Sequence, residues 1–145
     1  MDLGVADAAV GKAMEIVGEM IGFTLDCVPC PSTVRNISLA TLHLARTHIK
    51  AQLSEFFDSG QSLCLVSDET TKGTKKVQTF GVHSSDGTFV CLGLEQVAEK
   101  SAMTAFGALE ASVNKLPGVS PEFFKLFMLS VKSTMSDSAR TEIKF

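Results

Sequence analysis

No apolar run in this chain approaches the roughly 20 residues that a membrane-spanning helix needs. The N-terminus, "MDLGVADAAVGK", places an acid at position 2 and has no basic segment leading into an apolar one, so it lacks the form of a secretory signal. Positive charge is not in excess either. Thirteen Lys and Arg face 16 Asp and Glu, for a net charge of −3, which leaves no overall attraction to phosphate and confines any nucleic-acid contact to a local basic patch. Cysteine is scarce, and of the four only Cys27 and Cys30 form a CxxC, "CVPC". A zinc site would want a second pair at matching spacing, and none exists. His43 and His48, five positions apart on an expected helix, would point about 140° away from each other around its axis. The pair is open to two readings, metal or redox chemistry and a turn that holds two reduced thiols. Internal repeats and low-complexity tracts are missing too. Together these absences lead to the expectation of an intracellular protein that neither crosses nor binds a membrane.

What is present suffices for a buried core: 145 residues, 45% apolar and 20% charged. Residues 4–22 space Val10, Ala13, Met14, Val17, Met20 and Ile21 as an amphipathic helix, weakened by Gly11 and Gly18. "TLDCVPCPST" reads as a connection, with Ser32 or Thr33 placed to cap the next helix. That helix carries Leu42, Ala45, Ile49, Leu53 and Phe56 at intervals of three and four, with His43, Arg46, Lys50 and Glu55 mostly on its other side. "DSGQ" at 58–61 ends it with a glycine.

The period then becomes extended. Residues 62–67, 76–83 and 88–94 read as three strands joined by "TKGT" and by "SSDG", whose Asp86-Gly87 pair suits a tight hairpin. Cys64 and Cys91 fall inside apolar strand runs and are expected in the core. Residues 95–116 form an expected helix with Ala102, Phe106, Leu109, Val113 and Leu116 on one stripe, stopped by Pro117 and Gly118. Another helix starts with Ser120 as cap and Pro121 at its first position. "SVKSTM" reads as a short fourth strand and "SARTEIKF" as the first turns of a further helix. The fold class expected is α/β: an antiparallel three-strand meander, a crossover helix and a parallel fourth strand, with helices in front. Residues 1–31 would be an N-terminal helix and connection, and residues 32–145 the α/β part with its leading helix.

If the fourth strand lies beside the first, their C-terminal ends coincide. Asp68 follows the first and Asp137 the fourth. Neighbouring strands are about 4.8 Å apart, so the two carboxylates would stand where divalent cations can bridge them. Oxygen ligands of this kind suit Mg2+ or Mn2+ and phosphodiester chemistry. Lys72, Lys75 and Lys76 surround the nearby turn and can meet phosphates, or can be the solvated tip that protects an exposed edge. Each acid also has a purely structural reading: Asp68 capping a turn through Thr70 or Thr71, and Asp137 or Ser136 capping a helix whose dipole Glu142 favours. His83, at a strand end, reads as an acid or base without a nameable partner, or as a polar strand terminus.

"LVSDETTKGTKKVQTFGVHSSDGTFVCLGLEQVAEKSA", with "TMSDSARTE" following about seventy positions after Asp68, resembles the ribonuclease H-like catalytic domain of cut-and-paste transposases and of the transposon-derived proteins descended from them. The resemblance covers roughly residues 35–145. It implies that Asp68 and Asp137 are the first two members of an acidic triad holding two metal ions, with the third acid on a helix well downstream. This sequence stops at Phe145, before such a helix, and Glu142 is too near Asp137 to take that role. The expectation is therefore a fragment or relic without independent activity. A second expectation comes from a different class. A sheet that ends at its fourth strand has an open edge, and "EFFKLFM" at 122–128 is too apolar for a solvated helix face, so the chain can act as an interaction module that pairs with a second copy.

Overall fold

In the computed structural model of the chain, which describes residues 6–72, 75–99 and 101–136, the polypeptide divides after Ala45 into two compact units. Glycine decides the packing of the first. Helix α1 (Asp7–Met20) buries Gly11 and Gly18, seven positions and about two turns apart. The connection that follows returns along this track: a Cβ at Gly11 would lie 3.2 Å from the Pro29 carbonyl oxygen, and one at Gly18 only 2.8 Å from that of Phe23. The glycines that weaken the helix on propensity are what let backbone pack on backbone. The apolar stripe expected to be its core face is not buried, since Met14, Val17, Met20 and Ile21 are all exposed.

Helix α2 (Pro31–Asp58) begins with proline at its first position, so Cys30, and not Ser32 or Thr33, precedes it. Ser32 and Thr33 belong to its first turn and their hydroxyls lie 3.0 and 3.2 Å from the Cys30 sulfur. Beyond Ala45 the helix belongs to the second unit, where Leu53 and Phe56 enter the core. Gly60 (φ +67°) ends it: the N–H of Gly60 donates to Phe57 and that of Gln61 to Phe56, the paired bonds of a Schellman motif.

Four strands follow: β1 (Leu63–Lys72), β2 (Lys75–Ser84), β3 (Phe89–Val97) and, after helices α3 (Ala102–Asn114) and α4 (Pro121–Ser130), β4 (Val131–Ser136). Their order is β3-β2-β1-β4, with β1 antiparallel to β2, β2 antiparallel to β3 and β4 parallel to β1. The fold is thus α/β with an open mixed sheet, as expected. Three boundaries differ. β1 runs five residues past Ser67, because Asp68 to Lys72 pair with Thr79 back to Lys75 and the two threonines suit a pleated surface. β3 keeps Glu95, Gln96 and Val97, which pair with Gln78, Val77 and Lys76, so α3 starts at Ala102 under the cap of Ser101, whose side chain accepts the Thr104 N–H at 3.1 Å. In the β2–β3 hairpin only Gly87 takes positive φ (+90°), following a turn closed by its N–H donating to Ser84. Asp86 supports that turn through its side chain, which accepts the Thr88 N–H at 2.8 Å.

Among the described residues, the helical packing of the second unit falls on one side of the sheet. Leu63, Phe80, Val82 and Val90 meet Leu53 and Phe56 of α2, Leu109 and Val113 of α3, and Phe127 of α4 in a single cluster. The aromatics of "EFFKLFM" are used here instead of being left uncovered. Phe127 is fully buried, Phe124 packs its ring 5.8 Å from that of Phe106, and Phe123 lies 5.2 Å from Phe57. On the opposite side, Phe89, Leu94 and Met135 are exposed. Cys91, expected in the core, is also exposed and Cys64 is half-buried, because both are on this uncovered side. Among the described residues no helix is long and apolar enough to cross a membrane.

Candidate functional site

Register determines what the expected acid can face. Residues paired across a ladder share a side of the sheet, and Asp68 pairs with Thr79, which in turn pairs with Leu94. Asp68 is therefore on the uncovered side, exposed, in the second half of β1 and not at its tip. The parallel pairing of β1 with β4 ends at Ser67 opposite Ser136, the residues that immediately precede Asp68 and Asp137 in the chain. Asp137 lies outside the described residues, as do the helix start expected over 138–145 and the turn residues Gly73 and Thr74.

Of the three lysines, Lys75 and Lys76 are neighbours along β2 and lie on opposite sides of the sheet. Lys72 is the register partner of Lys75, and its side chain lies outside the described set. Lys75 shares the side of Asp68, but is four residues along β2 from Thr79, about 14 Å at the rise of a strand. Lys76 pairs with Val97 and Thr71 and is half-buried on the helical side. His83 is exposed with its ring centroid 4.8 Å from that of Phe89, which also lies over Gly81, where a Cβ would be 2.5 Å from the Phe89 ring. The ring crosses the strand at that height because Gly81 has no side chain.

On the helical side a cavity of about 270 Å³ opens between the sheet and α3. Its strand wall alternates as the pleat requires: Leu65, Ser67 and Glu69 from β1, Gln78 and Phe80 from β2. Thr134 and Ser136 of β4 extend it, while Ala102, Ala105 and Phe106 form the helical wall, with Met128 of α4 behind. The stripe on α3 is therefore divided. Leu109 and Val113 are core, while Ala102 and Phe106, nearer its start, line open space and are exposed. Glu69, one residue from the expected metal ligand, faces this cavity and not the exposed side. Glu99 and Ser101 complete its polar part. The signal for these residues was in the alternation of Leu65, Ser67 and Glu69, but reading β1 as ended at Ser67 hid it.

At the start of α2, the Ser32 hydroxyl and then that of Thr33, bonded to sulfur, lower the Cys30 thiol to about 7, so that much of it is thiolate at neutral pH. Cys27 and Cys30 are both free and exposed. Among the described residues no group of three or more His, Cys, Asp or Glu is placed to hold a metal ion. No family model matches the chain, and no curated protein matches it.

Proposed function

We propose that the chain carries a transposon-derived, ribonuclease H-like domain that retains two acids of an ancestral metal site. Asp68 and Asp137 are the ligands in this reading, Mg2+ or Mn2+ the ion, and a DNA phosphodiester the ancestral substrate. One observation supports it above others. β4 returns parallel to β1 and pairs with it as far as Ser67 and Ser136, each one residue short of an acid. A crossover that produces parallel neighbours brings the same ends of both strands together, which a shared cation requires. Lys75 can contribute a long-range attraction to the backbone of a nucleic acid, but at its distance along the strand it does not touch a phosphate held at Asp68.

The test is thermal melting of the full chain with and without Mn2+. At a cation concentration ten times Kd, binding to the folded state alone contributes about 1.4 kcal/mol, a rise of roughly 3 to 6 °C for a domain of this size. Asp68→Asn and Asp137→Asn should each remove the rise. Identical melting of the original and both variants, with and without manganese, refutes the reading.

A second reading, pairing with another copy, is favoured by the position of β4. It is the last strand of the sheet, its residues from Lys132 to Met135 are exposed, and Leu126 and Leu129 are uncovered on the adjoining α4. Met135→Lys combined with Leu129→Lys should convert a dimer to a monomer in sedimentation equilibrium. A monomer before substitution removes this reading. Phe124 is not a suitable probe, because its ring belongs to the core packing.

A further inference from the structure

We infer that α1 is a dimerisation helix, its exposed apolar face packing antiparallel against the same face of α1 in a second copy of the chain. The inference rests on neither the metal reading nor the open edge of β4, since it concerns the first unit alone.

At about 100° per residue the side chains of α1 sort into three sectors. Gly11 and Gly18 form the sector that the returning connection covers. Lys12, Glu15 and Glu19 form a charged one, in which Lys12 donates to Glu15 at 3.0 Å. The third contains Val10, Met14, Val17 and Ile21, with Ile16 and Met20 beside them. From Met14 to Ile21 its large side chains are 40% to 80% exposed. The glycines hold the helix by close backbone approach, so the apolar face is left open to another partner.

Spacing identifies that partner as a helix like itself. Val10, Met14, Val17 and Ile21 are separated by four, three and four positions, the seam along which two helices interlock. The row is symmetric about its midpoint, so a copy turned end for end sets Val10 against Ile21 and Met14 against Val17. Each layer then joins a larger side chain to a smaller one, as interdigitation requires. Such reciprocal contacts are the mark of a twofold interface.

The area is sufficient. A side chain of this kind offers roughly 60 to 120 Å² of apolar surface at about 25 cal/mol per Å², so the exposed fractions along α1 leave roughly 180 to 350 Å² open. Phe23, which follows the helix, and Ile37 and Leu44 on one face of α2 are 58% to 69% exposed and bring the first unit to roughly 350 to 650 Å². A stable dimer takes about 800 Å² from each partner, a little over half of it apolar. A lipid surface fits less well. Helices that lie on membranes are rich in Lys and Arg on the polar face, whereas α1 sets Asp7, Glu15 and Glu19 against Lys12.

Sedimentation equilibrium of the full chain tests this, and the original chain should be a dimer. Val17→Lys with Ile21→Lys should weaken it at least tenfold. Lysine suits the last turn of a helix, so α1 itself is not penalised. Glu19→Lys makes the same change in net charge on the charged sector and should leave the dimer intact. In dimers mixed from differently labelled copies, NOEs should join the Met14 methyl of one copy to the Val17 methyls of the other, a readout that needs no substitution. A monomeric original chain, an α1 variant that dimerises as strongly as the original, or intermolecular NOEs that bypass α1 overturns the proposal. So does dissociation by Met135→Lys with Leu129→Lys but not by the α1 variant, which places the dimer at β4. Binding to phosphatidylcholine vesicles in place of self-association gives the face to lipid and overturns it as well. Manganese melting reports on Asp68 and Asp137, so the metal reading fails separately.

Discussion

Replacing Leu53 and Leu42 in turn by alanine tests how the long stripe of α2 is used. On periodicity the two leucines are equivalent members of one apolar face. In the structure Leu53 is 0% exposed within the cluster of Phe56, Leu63 and Phe127, whereas Leu42 is 44% exposed. Leu→Ala removes three carbons, a transfer loss of about 2.4 kcal/mol at about 0.8 per methylene. At a fully enclosed site the cavity left behind raises this, and comparable substitutions cost about 2.7 to 5.0 kcal/mol. Leu53→Ala should therefore cost about 3 to 4 kcal/mol, a fall in Tm of roughly 6 to 16 °C. Leu42→Ala leaves no cavity and removes about half as much surface from a dry environment, so its cost should stay below about 1 kcal/mol. Alanine is the better helix former at both positions, so propensity cannot produce the difference. Urea unfolding followed by far-ultraviolet circular dichroism measures both, with m-values checked for equality. Equal losses for the two variants, or a loss under about 1 kcal/mol for Leu53→Ala, would refute the assignment of core and exposed segments along α2.

The remaining predictions concern titration. The alkylation rate of Cys30 by iodoacetamide, followed by peptide mass spectrometry, should rise with a midpoint near pH 7, and Ser32→Ala should move that midpoint up towards the ordinary thiol value of 9.0; an unmoved midpoint contradicts the hydroxyl's role. Asp86 is held down to about 2, first by the N–H of Thr88, then by that residue's hydroxyl and by Gln61. A depressed carboxylate stabilises the fold above its unfolded value of about 3.9, and the contribution disappears as pH falls through about 2. The stability difference between the original chain and Asp86→Asn should accordingly shrink between pH 5 and pH 2 in urea melts. A difference that does not change with pH contradicts the assignment.

Much of the architecture was legible in local pattern. The change from a period of three and four to a period of two located the helices and strands, and glycines at 60, 87 and 118 marked stops that the structure uses with positive φ. The parallel return of β4 followed from chain order, since a strand reached by a helical crossover has that direction. Gly11 and Gly18 were misjudged because propensity describes an isolated helix, and their use depends on a segment that packs back against them. The candidate site was much less legible. Alternation separates a strand's two sides but does not say which one the helices will cover. Once α2, α3 and α4 all pack on the same side, Asp68 and Cys91 are exposed while Glu69 and Gln78 face a cavity. That outcome depends on pairings between residues distant in sequence, which set β1's true length and bury Gln78, and no local window contains them.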